Sequence, residues 1–265
     1  MELSKWDRGR ALILWWSEWI MSAVKIASQA SVRSGAWLVS PIVIDKFINI
    51  LENQIMPYNM RIFGIKWYDD NDLIKVLSLL NESNSLWYGI GMDYNKNDLV
   101  DFTIELFNRW TKTIIIDGPI TWLLSNNLNK ISNDINHLVI LNKKEIKNFF
   151  WKSVPDNNEM LNLAKILNSY LLLKWENTKI ISPNWNIEEL YTWNHPEMLV
   201  AWSWDVLLWL ITWFIAQWKT IEESIKLWIK VREHSVRNYI EKTGDIIATP
   251  YDIVDNIRFV IWKLI

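Results

Sequence analysis

The stretch AWSWD, residues 201–205, places one carboxylate, Asp205, at the head of a long apolar run. Two kinds of chemistry fit an acid there. It can take a proton from a bound hydroxyl as a general base, or it can simply open a helix, where acidic side chains are favoured. The residue alone leaves both open. Its surroundings sharpen the question, because Trp202 and Trp204 flank Ser203 where small residues would let backbone N–H groups reach an anion. Other reactive groups are scarce. The chain has no Cys, which excludes thiolate nucleophiles, disulfides and thiolate metal sites. His137, His195 and His234 show no metal-ligand spacing such as H-x-x-x-H, and no Ser-His-Asp order is credible. No residues are assigned to a metal.

The abundance of Trp is itself a signal. Trp occurs 20 times against 8 Tyr and 8 Phe, while Gly occurs only 7 times in 265 residues. Ordinary domains carry about 7% Gly, which supplies the positive φ of turns and helix ends. Reading Trp as Gly repairs several local conflicts. LILWWSEW (12–19) becomes a strand entering a glycine-rich turn. SGAW (34–37) becomes SGAG before a strand. SPNWN (182–186) acquires the Asn-Gly of a hairpin, and FFWKS (149–153) a helix-ending glycine. AWSWD becomes AGSGD, a small-residue turn at a helix N-terminus. A lineage that reads the UGA codon as glycine, translated with a table that reads it as Trp, produces this pattern. The expectation is that many of these Trp are glycine in the living cell.

The elements that must hold these residues alternate along the chain. Strands are expected at residues 11–14, 38–42, 60–65, 85–89, 113–117, 137–141 and 170–174, with a hairpin at 178–181 and 188–191. TIIID, 113–117, is the clearest strand: a β-branched run ending in a carboxylate. Helices are expected at 21–34, 45–53, 70–81, 96–109, 120–128, 143–150 and 159–167, then at 205–217, 221–242 and 250–265. Alternating βα units imply an α/β fold with a mostly parallel sheet covered on both faces. Ligands then bind at the edge formed by the strand C-termini.

Composition narrows the function. With 22% charged and 50% hydrophobic residues, the length suits one domain, 1–265, with a sizeable core. A net charge of -2 leaves no electrostatic footprint for nucleic acid. The longest apolar run falls short of the ~20 residues that span a bilayer, and the charged N-terminus lacks a signal-type core. No membrane association and a cytoplasmic location are expected.

The motifs now carry a resemblance. With Trp read as Gly, KWDRGRALILWWSEW (5–19) resembles the K-G-x-x-G-R-x-L-x-x-G-G-S-x-G opening of the ADP/ATP-dependent NAD(P)H-hydrate dehydratases, members of the ribokinase-like superfamily. SVRSGAWLV (31–39) resembles their A-x-R-x-G-A-G-L-V, and WYGIGMD (87–93) their G-x-G-x-G loop. LLLKWENTKIISPNW (171–185) resembles L-K-G-x-x-T-x-I-x-x-x-x-G. TWNHPEMLVAWSWDVLLWLITWFIAQW (192–218) resembles T-G-N-P-x-M-A-x-G-G-S-G-D-V-L-x-G-x-I-x-x-x-x-A-Q-G, the most specific of the set. The order holds along nearly the whole chain. The resemblance implies a three-layer α/β/α sandwich and an enzyme that repairs hydrated NADH or NADPH with ADP or ATP. With ADP the products are NAD(P)H, AMP and phosphate.

The resemblance also implies site residues. Asp205 matches the base. Trp202, Ser203 and Trp204 match the Gly-Ser-Gly phosphate cradle, and Lys174, Trp175, Glu176, Asn177 and Thr178 match the nucleotide loop. Ala23, Gly91, Asn142 and Asn194, with Asp205, match the substrate side. Two departures bear on the substrate. The family's T-P-H-P-G-E is replaced around Asn142, and its D-A-D-A becomes Asp117-Gly118-Pro119-Ile120. Asn can still hydrogen-bond, but it cannot carry the proton of a His. The implied partners are hydrated NADH or NADPH, ADP or ATP with Mg2+, and a separate epimerase, since the fused epimerase domain of many relatives is expected to be missing. A homo-oligomer is expected. The departures keep open a related kinase of another small hydroxylated metabolite, and a non-catalytic nucleotide-binding relative.

Overall fold

The computed structural model describes residues 9–15, 21–54, 60–66, 69–89, 97–131, 137–150, 155–174, 177–191, 203–217 and 219–264. At Met21, Gln54, Asn97, Asp98, Asn177, Tyr191 and 203–208 it describes the backbone alone.

Short runs of Ile, Leu and Val make nine strands: β1 (Arg10–Leu14), β2 (Leu38–Ile44), β3 (Phe63–Ile65), β4 (Ser85–Tyr88), β5 (Ile114–Ile116), β6 (His137–Leu141), β7 (Ser169–Leu173), β8 (Asn177–Ile181) and β9 (Ile187–Tyr191). They form one sheet in the order β3-β2-β1-β4-β5-β6-β7-β8-β9. The first seven strands run parallel, and β8 and β9 add an antiparallel hairpin at one edge. A parallel sheet covered on both faces needs strands that are apolar on both. Accordingly every residue of β5, III, and of β6, HLVIL, is buried.

The helices are α1 (Met21–Arg33), α2 (Ile48–Gln54), α3 (Asp70–Asn81), α4 (Asn97–Arg109), α5 (Ile120–Ser125), α6 (Lys143–Phe150), α7 (Asn157–Ile166), α8 (Ser203–Ala216), α9 (Ile221–Thr243) and α10 (Pro250–Val260). Strand side chains alternate between two cores. Ile13, Val39, Trp87, Ile115, Ile140 and Leu172 pack against α1, α8, α9 and α10. Leu12, Leu14, Leu86, Ile116, Val139 and Leu171 pack against α3, α4, α5, α6 and α7. The result is the expected three-layer α/β/α arrangement. Local chemistry fixes the helix ends. Asp156 with Glu159, and Thr220 with Glu223, form reciprocal capping boxes, and Gly244 closes α9 at φ 75°.

Several expected boundaries shift. The strand expected at 60–65 is regular only over Phe63–Ile65, with Met60 making an isolated bridge to Val39. The helix expected at 45–53 opens with a 3-10 turn, Asp45–Phe47, and the one expected at 120–128 stops at Ser125 before a second 3-10 turn. The last helix ends at Val260 and finishes as a 3-10 turn rather than running to 265. Apolar periodicity continues through such turns, so sequence pattern alone does not separate them from α-helix. Among the described residues, no helix is long and apolar enough to cross a membrane.

Candidate functional site

Three contacts set the direction of α8. Ser85 Oγ, at the start of β4, donates to the Thr212 carbonyl at 2.7 Å. The Trp87 ring, further up the strand, lies against Trp209, with centroids 3.8 Å apart. Gly9, just before β1, sits so near the other end of the helix that a Cβ there would fall 2.4 Å from the Ala216 carbonyl oxygen. As β4 ascends, therefore, α8 descends in residue number. Its first turn, Ser203–Asp205, lies at the edge formed by the C-terminal ends of the parallel strands. That end of a helix presents unpaired backbone N–H groups and the positive end of the helix dipole.

The same edge collects groups from β4 to β8. Asp117 follows β5, Asn142 follows β6 and Lys174 follows β7. Asp117 and Lys174 continue the alternation of Ile115 and Leu172, which face the α8 side of the sheet. Lys174 Nζ donates to Asp117 Oδ1 at 3.0 Å and Oδ2 at 3.3 Å. The pair is nearly dry, with side-chain exposures of 10% and 1%. Gly89, at φ 123°, permits the close approach of the β4 and β5 ends: a Cβ there would stand 2.2 Å from the Asp117 carbonyl oxygen. Thr178, on β8, is fully buried, and its Oγ1 finds no partner among the described residues. A buried hydroxyl without a partner is costly and suits a bound ligand.

Asn142 reaches this edge but is engaged in local structure. Its Oδ1 accepts from the N–H groups of Lys144 at 2.8 Å and Glu145 at 3.0 Å, while its own N–H donates to Glu145 Oε2 at 2.8 Å. It is the N-cap of α6, and that cap takes up its oxygen. Ala23 lies on α1, buried in the core shared with α8. Ser203, Trp204, Asp205 and Asn177 are placed by backbone only, whereas Gly91, Trp175, Glu176, Asn194 and Trp202 fall outside the described residues. Asp117 was not among the expected site residues. The signal for it was present in the carboxylate that ends TIIID, but its partner stands 57 positions away.

The Trp positions divide. Trp185 adopts φ 66°, in the left-handed region where only glycine is free of penalty, and it sits in the hairpin turn between β8 and β9. Trp37 and Trp110 are not in that region, so their backbones make no such demand; position 151 lies outside the described residues. Trp15, Trp87 and Trp213 are fully buried with indole N–H groups that find no partner among the described residues. Buried Trp normally satisfies that donor.

His137 begins β6, at the opposite edge. Its Nδ1 accepts from the Ile114 N–H at 3.1 Å, and Phe107 packs edge-on against the ring. Burial holds its pKa down to about 3, so it is a neutral structural residue. Among the described residues, no cluster of three His, Asp or Glu side chains could hold a metal ion.

Solved structures share this architecture. A ribokinase-like superfamily protein from Enterococcus faecalis matches 99% of this chain and 90% of its own, at 18% identity and TM-score 0.79. A hypothetical protein from Streptococcus mutans matches 100% and 94%, at 17% identity and TM-score 0.81. The Bacillus subtilis ADP/ATP-dependent NAD(P)H-hydrate dehydratase, co-crystallised with ATP and Mg2+, matches 99% and 91%, at 14% identity and TM-score 0.71. No family model matches the chain. No curated protein matches it either. The fold is ribokinase-like, an α/β/α sandwich with a mostly parallel central sheet.

Proposed function

We propose that this chain is an ADP- or ATP-dependent NAD(P)H-hydrate dehydratase whose site lies under the N-terminus of α8. The observation that carries the reading is the convergence of that helix start, Ser203–Asp205, with Lys174 and the buried Thr178 hydroxyl at one sheet edge. The motif order from 192 to 218 joins it. The residues present fit a nucleotide. Lys174 supplies a cation for phosphate oxygens, and the first-turn N–H groups of α8 supply anion donors. Mg2+ brought with the nucleotide would supply charge neutralisation for its phosphates.

In this reading Asp205 takes the proton of the hydrate hydroxyl. The freed oxygen attacks the terminal phosphoryl group of ADP, and AMP leaves. The new phosphate ester is a better leaving group than hydroxide. Its C–O bond then breaks, a ring proton departs, and NAD(P)H and phosphate are released. The helix-start amides stabilise charge on the moving phosphoryl group.

The reading extends to the residues themselves: positions such as Trp15, Trp175, Trp202, Trp204 and Trp218 are glycine in the native protein. The left-handed Trp185, and the indole N–H groups of Trp15 and Trp87 that find no partner among the described residues, support it. Mass spectrometry of peptides from the source cells tests it, and tryptophan at 202 and 204 would sink it. The activity itself is tested by incubating purified protein with hydrated NADH and ADP while following NADH recovery and AMP release. A panel of small alcohols with ATP runs in parallel. Phosphorylation of one of those alcohols, with no NADH recovered, would replace the dehydratase with a kinase.

A further inference from the structure

Asp117 and Lys174 meet although their strands are not neighbours: β6 runs between β5 and β7. The ion pair therefore crosses the end of β6, at 3.0 Å and 3.3 Å. Its two halves are held differently. Asp117 is pinned, because its Oδ1 accepts the Gly118 N–H at 2.9 Å and its backbone oxygen lies so near Gly89 that no Cβ would fit there. Lys174 opens the segment that crosses to β8, its N–H tied to the Leu141 carbonyl at 2.8 Å and its ammonium carried on a long flexible stem. Buried pairs contribute little net stability once both ions are desolvated.

We infer that Asp117 is a positioning residue. It fixes the Lys174 ammonium at the sheet edge where α8 also starts, so that the cation meets a nucleotide phosphate without first losing its rotamer freedom. The inference rests on the proposal that this edge takes the nucleotide, and it adds a residue outside the nucleotide loop.

The test is a double-mutant cycle on the full chain, read by calorimetric ADP affinity at a temperature where every variant is folded. Asp117→Asn should weaken ADP about tenfold, the size of one charge-assisted contact. Lys174→Met should weaken it at least as much. In the Lys174→Met background, Asp117→Asn should have no further effect. Asp117→Glu keeps the charge but displaces the ammonium, so it gives the same test if the Asn variant does not fold: affinity falls with Lys174 present and not with Met. Equal effects of the Asp117 changes in both backgrounds, or a lowered melting temperature with unchanged ADP affinity, would overturn the positioning role alone. Wild-type protein that binds neither ADP nor ATP would overturn the nucleotide reading and this inference with it.

Discussion

The indole rings of Trp87 on β4 and Trp209 on α8 lie with centroids 3.8 Å apart, tilted by 56°. That contact sets the distance between the sheet and the helix whose first turn faces the proposed site. Trp15 stands beside it, 5.9 Å from Trp87. Glycine at these positions would let the helix and strand backbones approach, and errors of about 1 Å in such a site can cost about 10²-fold in rate. A chain with glycine at Trp15, Trp87, Trp202, Trp204 and Trp209 is expected to turn over hydrated NADH about 10²-fold faster than the all-Trp chain. The all-Trp chain is expected to be poorly soluble or inactive, since overpacking costs about 1–3 kcal/mol at each site. A comparison of soluble yield and turnover for the two chains checks this, and equal values would count against it.

Trp185 gives a cleaner local test. A non-glycine residue in the left-handed region costs about 1–3 kcal/mol. Against that stands a weak contact with Lys165, whose ammonium is 5.4 Å from the half-exposed ring. Trp185→Gly should therefore raise stability by about 1 kcal/mol. Trp37→Gly is the control, because Trp37 lacks the left-handed φ and the Arg10 guanidinium lies 4.7 Å over its ring. It should lose about 0.5–1 kcal/mol. Urea midpoints for the two variants decide. If Trp185→Gly also loses stability, the turn does not want glycine.

Much of this fold was legible because both faces of the sheet are buried. Runs such as TIIID and HLVIL announce parallel strands, and the Ser203–Asp205 start of α8 follows from an apolar run with an acid at its head. The strand order was not legible, because it depends on crossovers that leave no local mark. The Asp117–Lys174 pair was hidden for the same reason: the two residues are joined only when β5, β6 and β7 align. The resemblance implies a substrate contact at Asn142; in the fold its side-chain Oδ1 caps α6, a role that any Asn before a helix can take.

Acid should destabilise the protein through His137. Its folded pKa is depressed to about 3 by burial, below the ordinary value of 6.5. Below pH 6.5 the unfolded chain takes up a proton that the folded chain refuses. Stability contributed by neutral His137 is therefore full above 6.5 and falls as the pH drops toward 3, by about 1.4 kcal/mol per unit. His137→Gln should flatten the dependence in that window while lowering stability at neutral pH. Melting curves between pH 7 and pH 4 (an experimental range of about three units) would show it. Parallel curves for the two proteins would contradict the assignment.

The central claim is that Asp205, at the first turn of α8, is the base at a nucleotide-fed site. The direct measurement uses a chain with glycine at Trp202 and Trp204, with and without Asp205→Asn. Turnover of hydrated NADH with ADP is followed beside ADP affinity by calorimetry. Loss of a general base costs about 10²–10⁴-fold in rate, while the backbone cradle should keep ADP bound, or bind it more tightly once the negative charge is gone. The account predicts that split. Near-normal turnover in Asp205→Asn would remove Asp205 as the base, and joint loss of folding and ADP binding would leave it as the residue that starts the helix.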